Sequence, residues 1–106
     1  MAYMYSVDFE IGRDQMSQLE IGSALERVLG YLRTALPSEP GFTLVRAFHS
    51  VDTANRVRVL VESIWDTWDD LQEHTGSSLA EDKVLQEFEP HVEATDLTVQ
   101  VFEEID

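Results

Sequence analysis

Hydrophobic and polar residues alternate along the first stretch of the chain, from Tyr3 to Ile11. A period of two, with aromatic and β-branched residues at every second position, predicts a β-strand that buries one face. The apolar positions are Tyr3, Tyr5, Val7, Phe9 and Ile11. The segment Gly12-Arg13-Asp14 then favours a turn that ends the strand.

The next segment has the spacing of an amphipathic helix. Ser17 and Glu20 form a capping box, and Met16 and Ile21 are placed as a hydrophobic staple around it. One apolar stripe follows, made of Ile21, Leu25, Val28, Leu29, Leu32 and Leu36. Pro37 ends the helix because the residue before a proline avoids the helical conformation. Pro40-Gly41 predicts the turn after it.

The rest of the chain predicts three more strands and a helix in two pieces. The strands are Phe42 to Val51, Arg56 to Trp65 and Asp96 to Ile105, and the connection 52–55 is short enough for a hairpin. Between the last two strands, a short helix begins at Asp66 or Thr67 and runs through His74. A second helical piece covers Leu79 to Phe88 before Pro90.

The element order β-α-β-β-α-β predicts an α+β fold of the ferredoxin-like kind, in which a four-stranded antiparallel sheet carries both helices on one face. A chain of 106 residues fits one such domain, over 1–106. The other face of the sheet is left open, and its apolar residues need a cover. A second copy of the chain is the simplest cover, so we expect a homodimer.

Net charge excludes some partners. Twenty-one acidic residues against seven basic ones give a formal net charge of −14. Phosphates would be repelled, so we expect no nucleic-acid partner and no membrane partner. Two explanations of the acidity stay open: a solvated acidic surface, which we favour, and adaptation to high salt, where screening removes the self-repulsion.

The sequence also lacks cysteine, a membrane span and a signal peptide, which limits the possible reactions and the expected cellular compartment. The chain has no cysteine, which excludes disulfides, thiolate metal sites and cysteine nucleophiles. No apolar run approaches the length of a membrane span, and residues 1–5 lack the basic start of a signal peptide. We therefore expect a cytoplasmic protein.

Two segments resemble the antibiotic biosynthesis monooxygenase family of dimeric α/β barrels. Glu39 to His49 (EPGFTLVRAFH) has a Pro-Gly turn into the second strand. Val61 to Ser78 (VESIWDTWDDLQEHTGSS) has a tryptophan at the end of the third strand and a helix that closes on a histidine, with a serine after it. The resemblance implies a homodimer whose two sheets form a barrel, with a pocket between each sheet and its own helices. It also implies one of several activities, among them cofactor-independent oxygenation of aromatic polyketides, haem degradation and isomerisation.

The chain departs from the haem-degrading members of that family. Those enzymes place an asparagine on the first strand, where this chain offers only Asp8. Their tryptophan near the end of the helix after the third strand is replaced by His74, and His91 is the only later histidine that could ligate iron. We therefore expect no bound haem, no metal and no other cofactor.

His74 is the candidate catalytic residue. A histidine has an intrinsic pKa near neutrality, so it can take a proton from a bound phenol or enol. The alternative is structural: a partly exposed cation at the negative end of the helix dipole, with Asp70 one turn earlier. The resemblance leaves these two roles evenly balanced.

The candidate substrate-binding residues are aromatic and polar. Trp65, Trp68 and Phe48 would hold an aromatic ring, although packing in the core is the commoner role of such side chains. Arg46, His49 and Glu62 lie on the two central strands, where a charge must be paired or hydrated. For Arg46 and Glu62 we favour a cross-strand or interface ion pair over substrate binding.

Together these features predict a cofactor-independent monooxygenase, or a related small-molecule enzyme, that acts on a phenolic or enolic substrate. The alternative is a dimer that binds small molecules or responds to stress without catalysing a reaction. A third possibility is a structural protein adapted to salt. A wet pocket with converging polar groups favours the enzyme, a pocket filled by the protein's own side chains favours the second, and a need for molar salt to fold favours the third.

Overall fold

The computed structural model of the chain describes residues 1–52 and 54–105. Four strands and three helices follow one another as β1 (Tyr3–Gly12), α1 (Gln18–Ala35), β2 (Phe42–His49), β3 (Arg56–Trp65), α2 (Trp68–Thr75), α3 (Leu79–Glu87) and β4 (Thr98–Glu103). Short 3₁₀ helices cover Leu36–Ser38 and Ala94–Asp96. The strands form one antiparallel sheet in the order β2-β3-β1-β4. The predicted α+β, ferredoxin-like fold is confirmed.

The sheet of a single chain is open, since β2 and β4 form its two edges. The barrel that the resemblance implies would therefore need a second copy. In the part of the chain that is described, no helix has the length and apolar character needed to cross a membrane.

The first helix begins as its sequence predicts. The Ser17 hydroxyl accepts a hydrogen bond from the Glu20 backbone at 3.1 Å, and the Glu20 carboxylate accepts one from the Ser17 backbone at 2.9 Å. The two residues of the predicted staple, Met16 and Ile21, are both buried. These contacts satisfy backbone donors that the first turn of a helix leaves free.

Two strands are shorter than predicted because, at one end of each, a side chain accepts a hydrogen bond from a backbone N–H. After β2, the Ser50 hydroxyl accepts a hydrogen bond from the Arg58 backbone at 2.9 Å, so the strand stops at His49. Before β4, the Asp96 carboxylate accepts a hydrogen bond from the Glu93 backbone at 2.9 Å and folds that segment into a 3₁₀ turn. The predicted hairpin connection 52–55 includes Thr53, which lies outside the described residues.

The two faces of the sheet differ in composition. The face toward the helices is apolar and holds Tyr5, Val7, Phe9 and Ile11 of β1 and Val57, Val59, Val61 and Trp65 of β3. We call the opposite side the outer face. It carries three arginine–carboxylate pairs, Arg46–Glu62 at 3.1 Å, Arg58–Asp8 at 3.6 Å and Arg56–Glu10 at 3.9 Å. The exposed apolar side chains between them are Leu44, Phe48 and Phe102.

Candidate active site at His74

His74 lies in the last turn of α2 and is buried, with 1% of its surface exposed. Its ring stacks on the indole of Trp65, with centroids 4.6 Å apart and planes inclined by 26°. The Tyr5 ring makes an edge-to-face contact with it, with centroids 5.0 Å apart and planes inclined by 85°. The last turn of α2 therefore presses its histidine onto β1 and β3, against the apolar face of the sheet.

The start of α2 explains this orientation. Thr67, and not Asp66, caps the helix, and its hydroxyl accepts a hydrogen bond from the Asp70 backbone at 3.1 Å. The same hydroxyl donates to the Asp70 carboxylate at 2.8 Å. Asp70 is thus held at the start of the helix and does not pair with His74. The structural role considered for His74, a partly exposed cation beside Asp70, does not fit these positions.

The carboxylate nearest to His74 belongs to Glu39, on the turn after α1. Its Oε2 atom lies 3.7 Å from Nδ1 of His74, too far for a hydrogen bond. Gly41 sets the turn with a φ of 78°, and the Asp66 backbone donates to the Gly41 carbonyl at 2.9 Å. Pro40 and Gly41 are the residue types that a type II turn requires at these positions. The predicted Pro-Gly turn is confirmed, and it carries Glu39 to the histidine.

Four buried polar atoms at this place have no hydrogen-bond partner among the described residues. They are both ring nitrogens of His74, Oε2 of Glu39 and Oε1 of Glu81, which lies in the first turn of α3. Most buried polar groups in proteins are paired, and an unpaired one costs about 1–3 kcal/mol. We call Glu39, His74, Tyr5 and Glu81, with Trp65 beside them, the His74 cluster.

Burial sets the protonation of the cluster. It lowers the pKa of His74 from 6.5 to about 4, so the imidazole is neutral at pH 7, with one donor and one acceptor nitrogen. Burial also raises the pKa of Tyr5, and the negative charge of the Glu81 carboxylate raises it further. The pKa of Glu39 is raised for the same reason, burial. The neutral imidazole has a lone pair that can accept a proton, and its lowered pKa makes it a weaker base than a solvated histidine.

The cluster reaches solvent at its two glutamates, since Glu39 and Glu81 are both partly exposed. The Glu39 side chain is 24% exposed, whereas that of His74 is 1% exposed. A ligand that contacts the imidazole would need a segment around it to move, for example the Glu39 turn or the last turn of α2. In the described part of the chain, no three histidine or acidic side chains are grouped as metal ligands.

The other predicted site residues do not join the cluster, with one exception. Trp65 is buried against His74, and its Nε1 donates to the Ser63 hydroxyl at 2.9 Å. Trp68 is 44% exposed and packs edge-on against Tyr3 at 5.8 Å. The structure thus brings Trp65 and His74 together and leaves Trp68 at the surface.

The remaining predicted residues lie on β2 and β3, away from His74. Arg46 and Glu62 form the expected cross-strand pair on the outer face. The Arg46 guanidinium sits over the ring of Phe48, 5.5 Å from its centroid. Arg46 also borders a groove of about 330 Å³ on that face. His49 lies near the start of α1, with Nδ1 3.5 Å from the Gln18 amide.

Three members of the cluster were not predicted from the sequence. Tyr5 has the pattern of an ordinary core residue in β1, and Glu39 and Glu81 are two acids among twenty-one acidic residues. The one available signal was the Pro-Gly turn directly after Glu39, which fixes where that carboxylate must lie.

No protein-family model matches the chain, and no curated protein is similar to it in sequence. Solved structures match its fold over nearly the whole length. A Bacillus cereus protein named as a candidate antibiotic biosynthesis monooxygenase has 14% identity and a TM-score of 0.67, with 97% of this chain and 90% of that one covered. SnoaB, a cofactor-independent oxygenase from Streptomyces nogalater, was solved as a variant, with 11% identity, coverage of 99% and 94%, and a TM-score of 0.62.

The chain has the fold of the antibiotic biosynthesis monooxygenases. A third match is a dimeric protein of unknown function and ferredoxin-like fold from Bacteroides fragilis, with 12% identity, coverage of 97% and 96%, and a TM-score of 0.65. At these identities the likeness concerns the fold, and one fold of this kind hosts several activities. Function has to be argued from the His74 cluster.

Proposed function

We propose that the protein is a cofactor-independent monooxygenase, or a closely related small-molecule enzyme, acting on a phenolic or enolic substrate at the His74 cluster. One observation carries the proposal. Both nitrogens of the His74 ring are buried without a hydrogen-bond partner among the described residues, between two aromatic rings and beside a carboxylate. Buried, unpaired titratable groups collect at functional sites, because folding alone gives no reason to keep them.

The reaction needs little from the protein besides binding and proton transfer. The neutral imidazole of His74 takes the acidic proton of the bound substrate, and the Glu39 carboxylate, 3.7 Å away, stabilises the imidazolium. The deprotonated substrate is electron-rich and gives its own electrons to molecular oxygen. One oxygen atom enters the substrate as a carbonyl, replacing two hydrogens, and the other leaves as water. Trp65 and Tyr5 border the site with apolar surface that excludes bulk water.

The closed packing of the cluster favours a second candidate function. His74 is covered by the protein's own Trp65 and Tyr5, which is the arrangement expected of a dimer that binds small molecules without catalysis. Under this alternative the same displacement of α2 or the Glu39 turn admits a ligand, but no chemistry follows. Oxygen consumption separates the two functions.

We also propose that the protein is a homodimer in which a second copy covers the outer face. On that face, the charges of three arginines are balanced by three carboxylates, whereas the whole chain has a formal net charge of −14. Two such faces can approach without the repulsion that the rest of the surface would cause. The exposed apolar side chains between the pairs would be buried at the contact. The dimeric Bacteroides fragilis neighbour supports this arrangement.

The experiment is oxygen uptake by the purified protein with a panel of quinols and polyphenols. Wild type should consume oxygen with at least one of them, and His74→Gln should lower that rate by roughly 10²- to 10⁴-fold. His91→Gln is the matched control, since His91 is the same residue type and lies outside the cluster. Binding without any oxygen uptake would leave the non-catalytic function in place of the monooxygenase.

A further inference from the structure

A second group of charged side chains lies on the outer face, around a groove of about 360 Å³. β4 begins at Thr98, opposite Asp8, so in the described part of the chain β1 continues past it to Gly12 without a strand on that side. The groove is bordered by Asp8, Glu10, Arg56, Arg58, Asp96 and Thr98, and we call it the Asp8 groove. It shares no residue with the His74 cluster, nor with the exposed apolar side chains of the proposed dimer contact.

Asp8 is the buried member of the groove. It lies on β1, between β3 and β4, and 7% of its surface is exposed. Its one oppositely charged contact among the described residues is Arg58, whose Nη2 lies 3.6 Å from Oδ2, longer than a hydrogen bond. Buried carboxylates are normally satisfied by hydrogen-bond donors. The Asp8 carboxylate therefore offers acceptor positions to a molecule in the groove.

Two guanidinium groups border the same groove and have donors to spare. Arg56 donates one hydrogen bond to the Glu10 carbonyl, at 3.3 Å, and its Nε lies 3.9 Å from the Glu10 carboxylate. The contact of Arg58 with Asp8 is equally loose. A guanidinium carries five N–H donors, and the two arginine side chains are 58% and 63% exposed. Most of these donors can therefore reach a ligand.

The mixture of charges limits what that ligand can be. The two guanidinium groups repel a simple cation, and the carboxylates of Asp8, Glu10 and Asp96 repel a simple anion. A zwitterion gives both kinds of group a partner of opposite sign. An α-amino acid carries its ammonium and carboxylate on neighbouring carbons. That short separation suits an acceptor on Asp8 and a donor on Arg58 that lie 3.6 Å apart.

We infer that the Asp8 groove binds a free α-amino acid, with Asp8 accepting from the ammonium group and Arg58 donating to the carboxylate. Arg56 places a second positive charge beside that carboxylate. The residues around the groove are mostly charged or polar, so the site takes a small or polar amino acid rather than one with a large apolar side chain. This site is separate from the proposed reaction at His74.

The test is titration of isotope-labelled protein, followed through its backbone amide signals in NMR spectra at neutral pH. Three matched probes separate the charges: glycine carries both, glycinamide keeps only the positive one, and N-acetylglycine keeps only the negative one. Glycine should produce saturable shifts around Asp8 and Arg58 and should bind at least tenfold more tightly than either analogue. Equal affinity for the three probes, or no saturable shift with glycine, would overturn the inference.

Charge-neutral variants show whether these side chains hold the ligand. Asp8→Asn and Arg58→Gln should each weaken glycine binding at least tenfold. Glu26→Gln, on exposed α1 surface, also removes one charge and should leave the affinity unaltered. Unchanged affinity in both groove variants, with folding verified by circular dichroism, would overturn the inference as well. Should Asp8→Asn not fold, the exposed Arg58→Gln position and the three-probe comparison still decide.

One further variant separates this site from the His74 cluster. His74→Gln should lower oxygen uptake under the proposed function and leave glycine affinity unchanged, because His74 does not border the groove. Loss of glycine binding in a folded His74→Gln protein would contradict a separate amino-acid site.

Discussion

At the scale of single residues, His74 occupies a position that an apolar side chain would fill at lower cost. Two buried nitrogens without partners destabilise the folded state by about 1–3 kcal/mol each, in a protein whose total stability is of the order of 5–15 kcal/mol. Stacking on Trp65 and the edge-to-face contact with Tyr5 offset part of this cost. A residue that costs stability at a buried position fits a role in binding or catalysis better than a role in folding.

Burial of neutral His74 makes stability depend on pH. Its pKa is about 4 in the folded state and near 6.5 in the unfolded state, so only the unfolded chain gains this proton between those values. The stability it contributes is therefore present at pH 7 and is lost as pH falls through 6.5 toward 4. From pH 7 to pH 5 this loss amounts to about 2 kcal/mol.

Urea unfolding of wild type and His74→Gln at pH 7 and pH 5 measures that loss. Glu39, whose pKa is raised in the folded state, contributes with the opposite sign, since its stabilisation fades as pH rises above its unfolded value. Both proteins contain Glu39, so the difference between them reports mainly on His74. Equal losses of stability in the two proteins would contradict a neutral, buried His74.

Gly41 is the residue that fixes the Glu39 turn. Its φ of 78° is strained for any other residue, and a Cβ at this position would collide with the Asp70 side chain. Gly41→Ala should therefore destabilise the protein by about 1–3 kcal/mol and weaken ligand binding. Gly30→Ala is the control, because a Cβ there meets nothing within 4 Å and a helical alanine stabilises by about 0.5–1 kcal/mol. Thermal melting that shows both variants stabilised would exclude this role for Gly41.

At the scale of secondary structure, α2 and α3 together supply His74 and Glu81. They have 8 and 9 residues, and helices this short are marginal in isolation. Their position depends on capping and on packing against the sheet. Ser78, between them, adopts a left-handed conformation with a φ of 55°. This two-piece helix is therefore the part of the site most sensitive to local changes.

The two helix caps provide a matched comparison. Thr67→Ala at α2 and Ser17→Ala at α1 each remove one capping hydrogen bond of 3.1 Å, and Thr67→Ala also removes the exposed 2.8 Å bond to the Asp70 carboxylate. Each substitution should cost about 1 kcal/mol, because the additional bond of Thr67 is exposed to solvent. Only Thr67→Ala displaces the helix that carries His74. We expect both variants to lose similar stability in urea, and only Thr67→Ala to lose affinity for 1,4-dihydroxynaphthalene. Equal loss of affinity in both would show that α2 has no special part in the site.

Local elements were predictable from the sequence, and the cluster was not. The bounds of β3 and the capping box at Ser17 depend on residues that are neighbours in sequence. The hydrophobic and polar pattern therefore predicted both correctly. The start of β4 was wrong because the Asp96 side chain folds back on Glu93, which strand periodicity does not reveal. The burial of His74 depends on packing against Tyr5, far away in sequence, and no local pattern reports such a contact.

At the scale of the whole molecule, the proposed dimer depends on contact between two outer faces. Two chains of 12.1 kDa make a dimer of about 24 kDa, which light scattering measures directly. Phe48→Glu places an unpaired charge at the proposed contact and should shift the mass toward that of one chain. Leu19→Glu, on exposed α1 surface, adds the same charge and should leave the dimer intact. A wild-type mass of one chain at micromolar concentration would remove the proposed dimer.

The central claim is that the His74 cluster binds a ligand. Thermal melting of wild type and His74→Phe, with and without 1,4-dihydroxynaphthalene under argon, tests this claim most directly. Phenylalanine keeps an aromatic ring against Trp65 and removes both unpaired nitrogens. We predict that the unliganded variant melts at or above the wild-type temperature, and that the diol raises the melting temperature of wild type alone. A variant that melts lower than wild type and still responds to the diol would contradict the claim.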